Sequence, residues 1–115
     1  TSGMKAALNG GHSLSGLDGW WVEGWSGRNG WAVEAGSGEG DVDGRHAQAI
    51  YDILEREIIP AYYEHDLKGV PVRWVRICKE ALAVAAVRFS ARRMLREYRE
   101  QMYGAVPARD AAGPA

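Results

Sequence analysis

The sequence contains little sulfur, little net charge and no long apolar stretch. A single cysteine, Cys78, excludes a disulfide within the 115 residues and favours a reducing compartment such as the cytosol. The formal net charge of −1 gives no electrostatic basis for binding nucleic acid or an anionic membrane. The longest apolar run, Ala81–Val87, is far shorter than the roughly 20 residues that a membrane span requires. No basic segment followed by an apolar stretch opens the chain, so we expect no signal peptide.

Glycine and tryptophan, by contrast, are abundant and unevenly distributed. Most of the 15 glycines lie within residues 1–44, and four of the five tryptophans lie between Trp20 and Trp31. Residues 45–103 have helical periodicity, whereas residues 104–115 are rich in Gly, Pro and Ala and are predicted to be a disordered tail. A composition of 46% hydrophobic and 25% charged residues is that of one small globular domain.

The first half of the chain predicts short elements. Ser2–Leu8 is predicted to be a short helix that ends at an Asn-Gly stop signal. His12–Leu17 is predicted to be a short strand. The glycines of Trp20–Trp31 predict a packed but irregular loop rather than regular structure. The acidic segment 36–44 predicts a flexible surface loop.

The second half predicts three helices, over residues 45–59, 72–87 and 90–103. Asp43 is the candidate cap of the first helix, and Pro60 is expected to kink or interrupt it. The predicted apolar face of the second helix consists of Trp74, Val75, Cys78, Leu82 and Ala85 or Ala86.

The opening segment TSGMK combines anion-binding groups with a lysine. A helix N-terminus presents unpaired N–H groups and the positive end of its dipole, so Ser2, Gly3 and the Thr1 hydroxyl can form a phosphate seat. Lys5 follows one turn into the helix. A phosphate seat beside a nucleophilic lysine suits an aldehyde cofactor that carries a phosphate, such as pyridoxal phosphate. The alternative interpretation is an ordinary capped helix with a solvated lysine.

Other chemistry-bearing residues give weaker signals. His12, His46 and His65 are too dispersed for the usual spacing of metal ligands, so no metal site is predicted. Asp18 and Glu23 could form a carboxylate pair, but Asp18 is more simply a turn residue and Glu23 a structural one. The clustered tryptophans could stack on sugar rings, but we expect them to pack the glycine-rich loop onto a core.

Several motifs in one order resemble the C-terminal region of the α-glucan phosphorylases, the glycogen and maltodextrin phosphorylase family. They begin with TSGMKAALNG, LDGWWVEG at 17–24 and NGWAV at 29–33. The family's cofactor signature ends in a Met-Lys pair followed two residues later by Leu-Asn, as Met4-Lys5 and Leu8-Asn9 are here. The likeness continues through LEREIIPAYYEHD, PVRWVR and RFSARRMLREY and reaches Tyr103. The LDGWW motif resembles that of the shorter, mostly prokaryotic branch of the family.

This resemblance implies a fold as well as a family. The parent would be an α/β protein of the GT-B type, and residues 1–103 would be the C-terminal part of its cofactor-binding, Rossmann-like domain together with the terminal helices. The segment itself is expected to be mostly α-helical, with a glycine- and tryptophan-rich loop region and at most one short strand. Residues 104–115 would form the disordered tail.

The resemblance also implies a function. Lys5 would bind pyridoxal phosphate as an imine, and Thr1, Ser2 and Gly3 would hold the cofactor's phosphate. The complete enzyme would use inorganic phosphate to release α-D-glucose 1-phosphate from an α-1,4-glucan in the cytoplasm. The family residues that contact glucose would precede Thr1, so no complete catalytic set is expected here and the isolated chain is expected to be inactive. A glycogen synthase-like glucosyltransferase segment, which needs no imine lysine, and a non-catalytic helical module are the alternatives.

Overall fold

The computed structural model describes residues 1–34, 36 and 40–104. The first half contains α1 (Ser2–Leu8), β1 (Ser13–Gly16), α2 (Gly19–Gly24) and β2 (Gly30–Val33). The second half contains α3 (Val42–Ile53), a π-helical turn (Leu54–Ile58), α4 (Ile59–Tyr63), α5 (Val72–Arg88), α6 (Ala91–Tyr98) and a second π-helical turn (Arg99–Tyr103). The predicted tail lies outside the described residues except for Gly104, and so do residues 37–39 of the predicted acidic loop.

The two strands form a parallel pair. Ser13 is opposite Gly30 and Gly16 is opposite Val33, and α2 lies in the connection between the strands. The predictions of an irregular loop over 20–31 and of at most one strand were therefore wrong. The glycines mark boundaries and close contacts instead: Gly30 has a φ of +146°, and a β-carbon there would lie 2.6 Å from the Ser13 carbonyl oxygen.

The helices of the second half largely match their predicted ranges. The predicted helix over 72–87 is confirmed as α5. The first helix begins at Val42, since the Asp41 side chain, rather than that of Asp43, accepts a hydrogen bond from the Gly44 amide at 2.9 Å. Pro60 does not end this helix. Proline lacks the backbone N–H that a helix uses as a donor. The π-helical turn Leu54–Ile58, which precedes Pro60, has a wider hydrogen-bond spacing than an α-helix, and helical structure continues to Tyr63.

The core is centred on the contact between α1 and α5. Ala7, Ala81 and Ala85 are buried there, and the partly buried Trp20 packs against them. Small side chains allow the two helices to approach closely. The predicted apolar face of α5 was wrong at Leu82, which is 38% exposed, because the neighbouring Ala81 occupies the buried position.

The terminal helix α6 has no buried residue, so its apolar side chains are not covered by another described element. Its large apolar side chains are all exposed, namely Met94, Leu95 and Tyr98, and so is Met102 of the π-helical turn that follows. Ser90 caps this helix by accepting a hydrogen bond from the Arg93 amide. Among the described residues, no helix combines the length and the apolar character needed to cross a membrane.

Candidate functional site

The TSGMK segment forms the start of α1. The Lys5 amide donates to the Thr1 carbonyl oxygen at 3.1 Å, so the first turn of the helix is closed. Thr1 is the N-cap, but its side chain makes no capping hydrogen bond, and its hydroxyl is therefore not used by the helix. Thr1, Ser2 and Lys5 are all exposed. The structure thus places the four predicted site residues on a single helical turn.

Trp20 fixes the position of this turn relative to the core. A β-carbon at Gly3 would lie 2.8 Å from Trp20 Nε1 and 3.2 Å from its Cε2 and Cζ2 atoms. Trp20 in turn packs edge-on against Phe89, with ring centroids 5.3 Å apart. Only glycine at residue 3 allows this close approach of the backbone to the indole. The backbone that includes Gly3 therefore lies directly on a tryptophan that belongs to the core.

An open cleft of about 410 Å³ lies beside α1. Its lining includes Ser2 and Gly3 of α1, together with Ser13 of β1 and Trp20 and Trp21 of α2. Lys5 does not line this cleft and is exposed. The start of α1 offers a primary amine, a hydroxyl without a helix capping bond and helix-terminal amides, which are the groups expected to bind an aldehyde that carries a phosphate. The described residues do not enclose a site for such a cofactor at this turn.

His12 joins β1 to α5 through a partly buried cluster that the sequence did not predict. Its Nε2 atom lies 3.3 Å from the Trp74 carbonyl oxygen and 3.4 Å from Cys78 Sγ. The imidazole and Trp74 ring centroids are 3.9 Å apart. Burial lowers the pKa of His12 from 6.5, and the hydrogen bond to Trp74 opposes that shift. The sequence around His12 does not indicate this contact, because its partner Trp74 lies 62 residues away.

The other predicted residues remain apart. Asp18 is the N-cap of α2 and Glu23 lies in its last turn, both exposed. Trp21 and Trp31 are buried, which confirms packing for these two tryptophans. Among the described residues, no group of three or more His, Cys, Asp or Glu side chains is arranged to hold a metal ion.

Sequence reasoning also missed Asn29, a buried polar residue that organises the turn before β2. Its Oδ1 atom accepts hydrogen bonds from the Ser26 amide at 2.8 Å and the Ser26 hydroxyl at 3.0 Å. Its Nδ2 atom donates to the Gly24 carbonyl oxygen at 2.8 Å. Asn29 is only 2% exposed, and its bond to the buried Gly24 carbonyl oxygen is shielded from water. Its three hydrogen bonds hold the turn 26–29 against the end of α2.

The described residues thus form a mostly helical segment with one parallel strand pair and an exposed lysine at the start of a short helix. Glycogen phosphorylase of Aquifex aeolicus is 51% identical over 106 residues, which is 92% of this chain and 15% of that protein. Maltodextrin phosphorylase of Thermococcus litoralis is 46% identical and glycogen phosphorylase of Mycobacterium tuberculosis CDC 1551 is 44% identical. Each of these two matches covers 90% of this chain and 12% of the relative.

The chain thus matches one segment of the glycogen and maltodextrin phosphorylase family, as its sequence motifs predicted. It spans only 12–15% of the length of these relatives. No family model matches the chain. No solved structure matches it either.

Proposed function

We propose that this chain is the cofactor-anchoring segment of a pyridoxal-phosphate-dependent α-1,4-glucan phosphorylase. The observation that carries the proposal is 44–51% identity to three proteins named as glycogen or maltodextrin phosphorylases, along nine-tenths of the chain. The position of Lys5 supports it, because the amine is exposed on the same turn as the unbonded Thr1 hydroxyl.

In this proposal the parent protein has the GT-B architecture, and residues 1–103 are the C-terminal part of its cofactor-binding domain with the terminal helices. The parallel pairing of β1 and β2 supports an α/β parent, because parallel strands occur almost only in sheets whose faces are covered by helices. In the parent protein further strands would pair with the open edges of β1 and β2.

Four residues of this turn would bind the cofactor. The Lys5 amine would hold the aldehyde carbon, and the backbone amides of Ser2 and Gly3 would donate to the phosphate. The Thr1 hydroxyl would donate to the same phosphate, since no helix capping bond occupies it. When bound, pyridoxal phosphate would supply a phosphate group that exchanges a proton with the substrate phosphate. Trp20 holds Gly3 in place, so the spacing between the amides and Lys5 is fixed by the core.

The substrates of the complete enzyme would be an α-1,4-glucan and inorganic phosphate, and the product would be α-D-glucose 1-phosphate. We place this reaction in the cytoplasm, where the free thiol of Cys78 would remain reduced.

A chimera tests the proposal. The segment of Aquifex aeolicus glycogen phosphorylase that matches this chain is replaced by this sequence, and glucose 1-phosphate release from maltoheptaose is assayed. We expect an active chimera that loses its activity in the Lys5→Ala variant. The matched control is Lys79→Ala, an exposed lysine on α5, which should retain the activity. A chimera whose activity persists after Lys5→Ala would contradict the proposal.

A further inference from the structure

A cleft of about 220 Å³ lies between the turn that precedes β2 and the first half of α5. Three arginines line it: Arg28 comes from the turn, and Arg73 and Arg76 come from α5. Glu57 is the only acidic residue among the described residues of the lining, which together carry a net charge of +2. No residue of α1 belongs to the lining, and the cleft is separate from the turn that contains Lys5.

The Glu57 carboxylate already has two partners within the chain. Glu57 Oε2 accepts a hydrogen bond from Trp31 Nε1 at 3.0 Å and lies 3.9 Å from a guanidinium nitrogen of Arg73. Trp31 is buried, so it fixes the carboxylate at one side of the cleft. Glu57 therefore partly neutralises Arg73. Within the part of the chain that the structure describes, neither Arg28 nor Arg76 forms an ion pair within 4 Å.

Arg28 lies in the turn that Asn29 organises. The three hydrogen bonds of the buried Asn29 join it to Ser26 and to the end of α2. Arg76 is presented by α5, the longest helix of the described residues. In the described part of the chain, two exposed arginines that form no ion pair thus lie on either side of the cleft, on elements whose backbones are held by hydrogen bonds. A ligand that bridges them does not have to order the backbone first, which lowers the cost of binding.

We propose that this cleft binds a phosphate-type dianion. A guanidinium group presents its N–H donors in a planar fork that matches phosphate oxygens, and charge-assisted bonds of this kind are stronger than neutral ones. A charge of −2 matches the net charge of the lining. The cleft volume of about 220 Å³ is large enough for an inorganic phosphate ion or for the phosphate group of a monoester. The proposal does not depend on the phosphorylase function, because none of the residues around Lys5 contributes to the cleft.

The test is an isothermal titration of the 115-residue chain at low ionic strength, with inorganic phosphate as one probe and glucose 1-phosphate as the other. We expect binding of phosphate that weakens about tenfold in Arg28→Gln and in Arg76→Gln. The matched control is Arg96→Gln on α6, an exposed arginine that does not line the cleft. Tighter binding of glucose 1-phosphate than of phosphate would identify a monoester as the ligand, and the reverse order would identify the free ion.

A second variant gives a result that loss of folding cannot imitate. Glu57→Gln removes the negative charge of Glu57 and keeps an oxygen that can accept the Trp31 hydrogen bond. Phosphate binding should become about threefold tighter. Glu100→Gln, the same charge change on an exposed glutamate of the second π-helical turn, should leave binding unchanged. The proposal is wrong if phosphate does not bind to the unmodified chain. It is also wrong if Arg96→Gln weakens binding as much as Arg76→Gln, or if Glu57→Gln fails to strengthen it.

Discussion

Gly3 and Trp20 are in direct contact, and the indole occupies the space in which a β-carbon of residue 3 would lie. That β-carbon would be 2.8 Å from Trp20 Nε1, closer than van der Waals contact permits. Trp20 packs against the alanines that join α1 to α5. The contact therefore connects the start of α1, where the candidate cofactor site lies, to the core of the structure.

Replacement of Gly3 by alanine should displace Trp20. We expect Gly3→Ala to lower the free energy of unfolding by about 1–3 kcal/mol, as other overpacking substitutions do. The measurement is urea denaturation followed by tryptophan fluorescence. The control is Gly16→Ala, because a β-carbon at residue 16 would meet no atom within 4 Å. Equal effects of the two substitutions would show that the Gly3–Trp20 contact is not tight.

Replacement of Asn29 by alanine should destabilise the turn before β2. Asn29→Ala removes three hydrogen bonds and leaves the buried Gly24 carbonyl oxygen unsatisfied, whereas the exposed Ser26 can bind water instead, so we expect a loss of about 1–3 kcal/mol. Asn9→Ala is the matched control, because Asn9 donates only one exposed hydrogen bond, to the Lys5 carbonyl oxygen. Its cost should be below about 1 kcal/mol. Chemical denaturation of the two variants distinguishes these values, and a smaller loss for Asn29→Ala than for Asn9→Ala would contradict the account.

Stability should decrease in mild acid because of His12. Burial lowers the pKa of this imidazole in the folded chain below its ordinary value of 6.5. The unfolded chain therefore binds more protons as the pH falls below 6.5, and this contribution to stability is lost until the folded pKa is passed. Above pH 6.5 the contribution is fully present.

Thermal unfolding across this pH range, compared with the His12→Gln variant, measures that contribution. The stability of the variant should depend less steeply on pH below 6.5 than that of the unmodified chain. The control His46→Gln changes an exposed histidine of α3 and should leave the pH dependence in place. Identical slopes for the unmodified chain and His12→Gln would show that His12 is not responsible.

The isolated 115-residue chain should not catalyse phosphorolysis. Lys5 is exposed, and the end of one solvated helix contributes only about 1 kcal/mol or less to anion binding. A solvated site also loses most of the electrostatic stabilisation that an enclosed active site provides. The chain is incubated with pyridoxal phosphate, maltoheptaose and phosphate, and glucose 1-phosphate is measured with a coupled dehydrogenase. Turnover that disappears in Lys5→Ala would show that this segment is catalytically complete.

Local sequence signals were sufficient for the helices of the second half. The periodicity of α5 and the serine that caps α6 both depend on residues within a few positions of each other. The helix that includes Pro60 was predicted less well, because a π-helical turn accommodates the proline and no local sequence pattern predicts such a turn.

The strand pair and the buried contacts depend on residues far apart in the sequence. The start of β2 was predicted as part of an irregular loop because Trp20–Trp31 is rich in glycine, yet Gly30 is required there by the close approach of Ser13. Ala81 and Ala85 are buried because α1 packs on their side of α5, which leaves Leu82 exposed, and the position of α1 cannot be read from α5 alone. Likewise, the cationic cleft forms only when Arg28 meets α5. Lys5, in contrast, was proposed from its motif alone, and its role stays a prediction.

The most direct measurement is the identity of the lysine that carries the cofactor. The chimera with Aquifex aeolicus glycogen phosphorylase is incubated with pyridoxal phosphate, reduced with borohydride and digested, and the labelled peptide is sequenced by mass spectrometry. The segment contributes three lysines, Lys5, Lys68 and Lys79. The account predicts a label on Lys5. A label on Lys68, on Lys79 or on no lysine of the segment would contradict it.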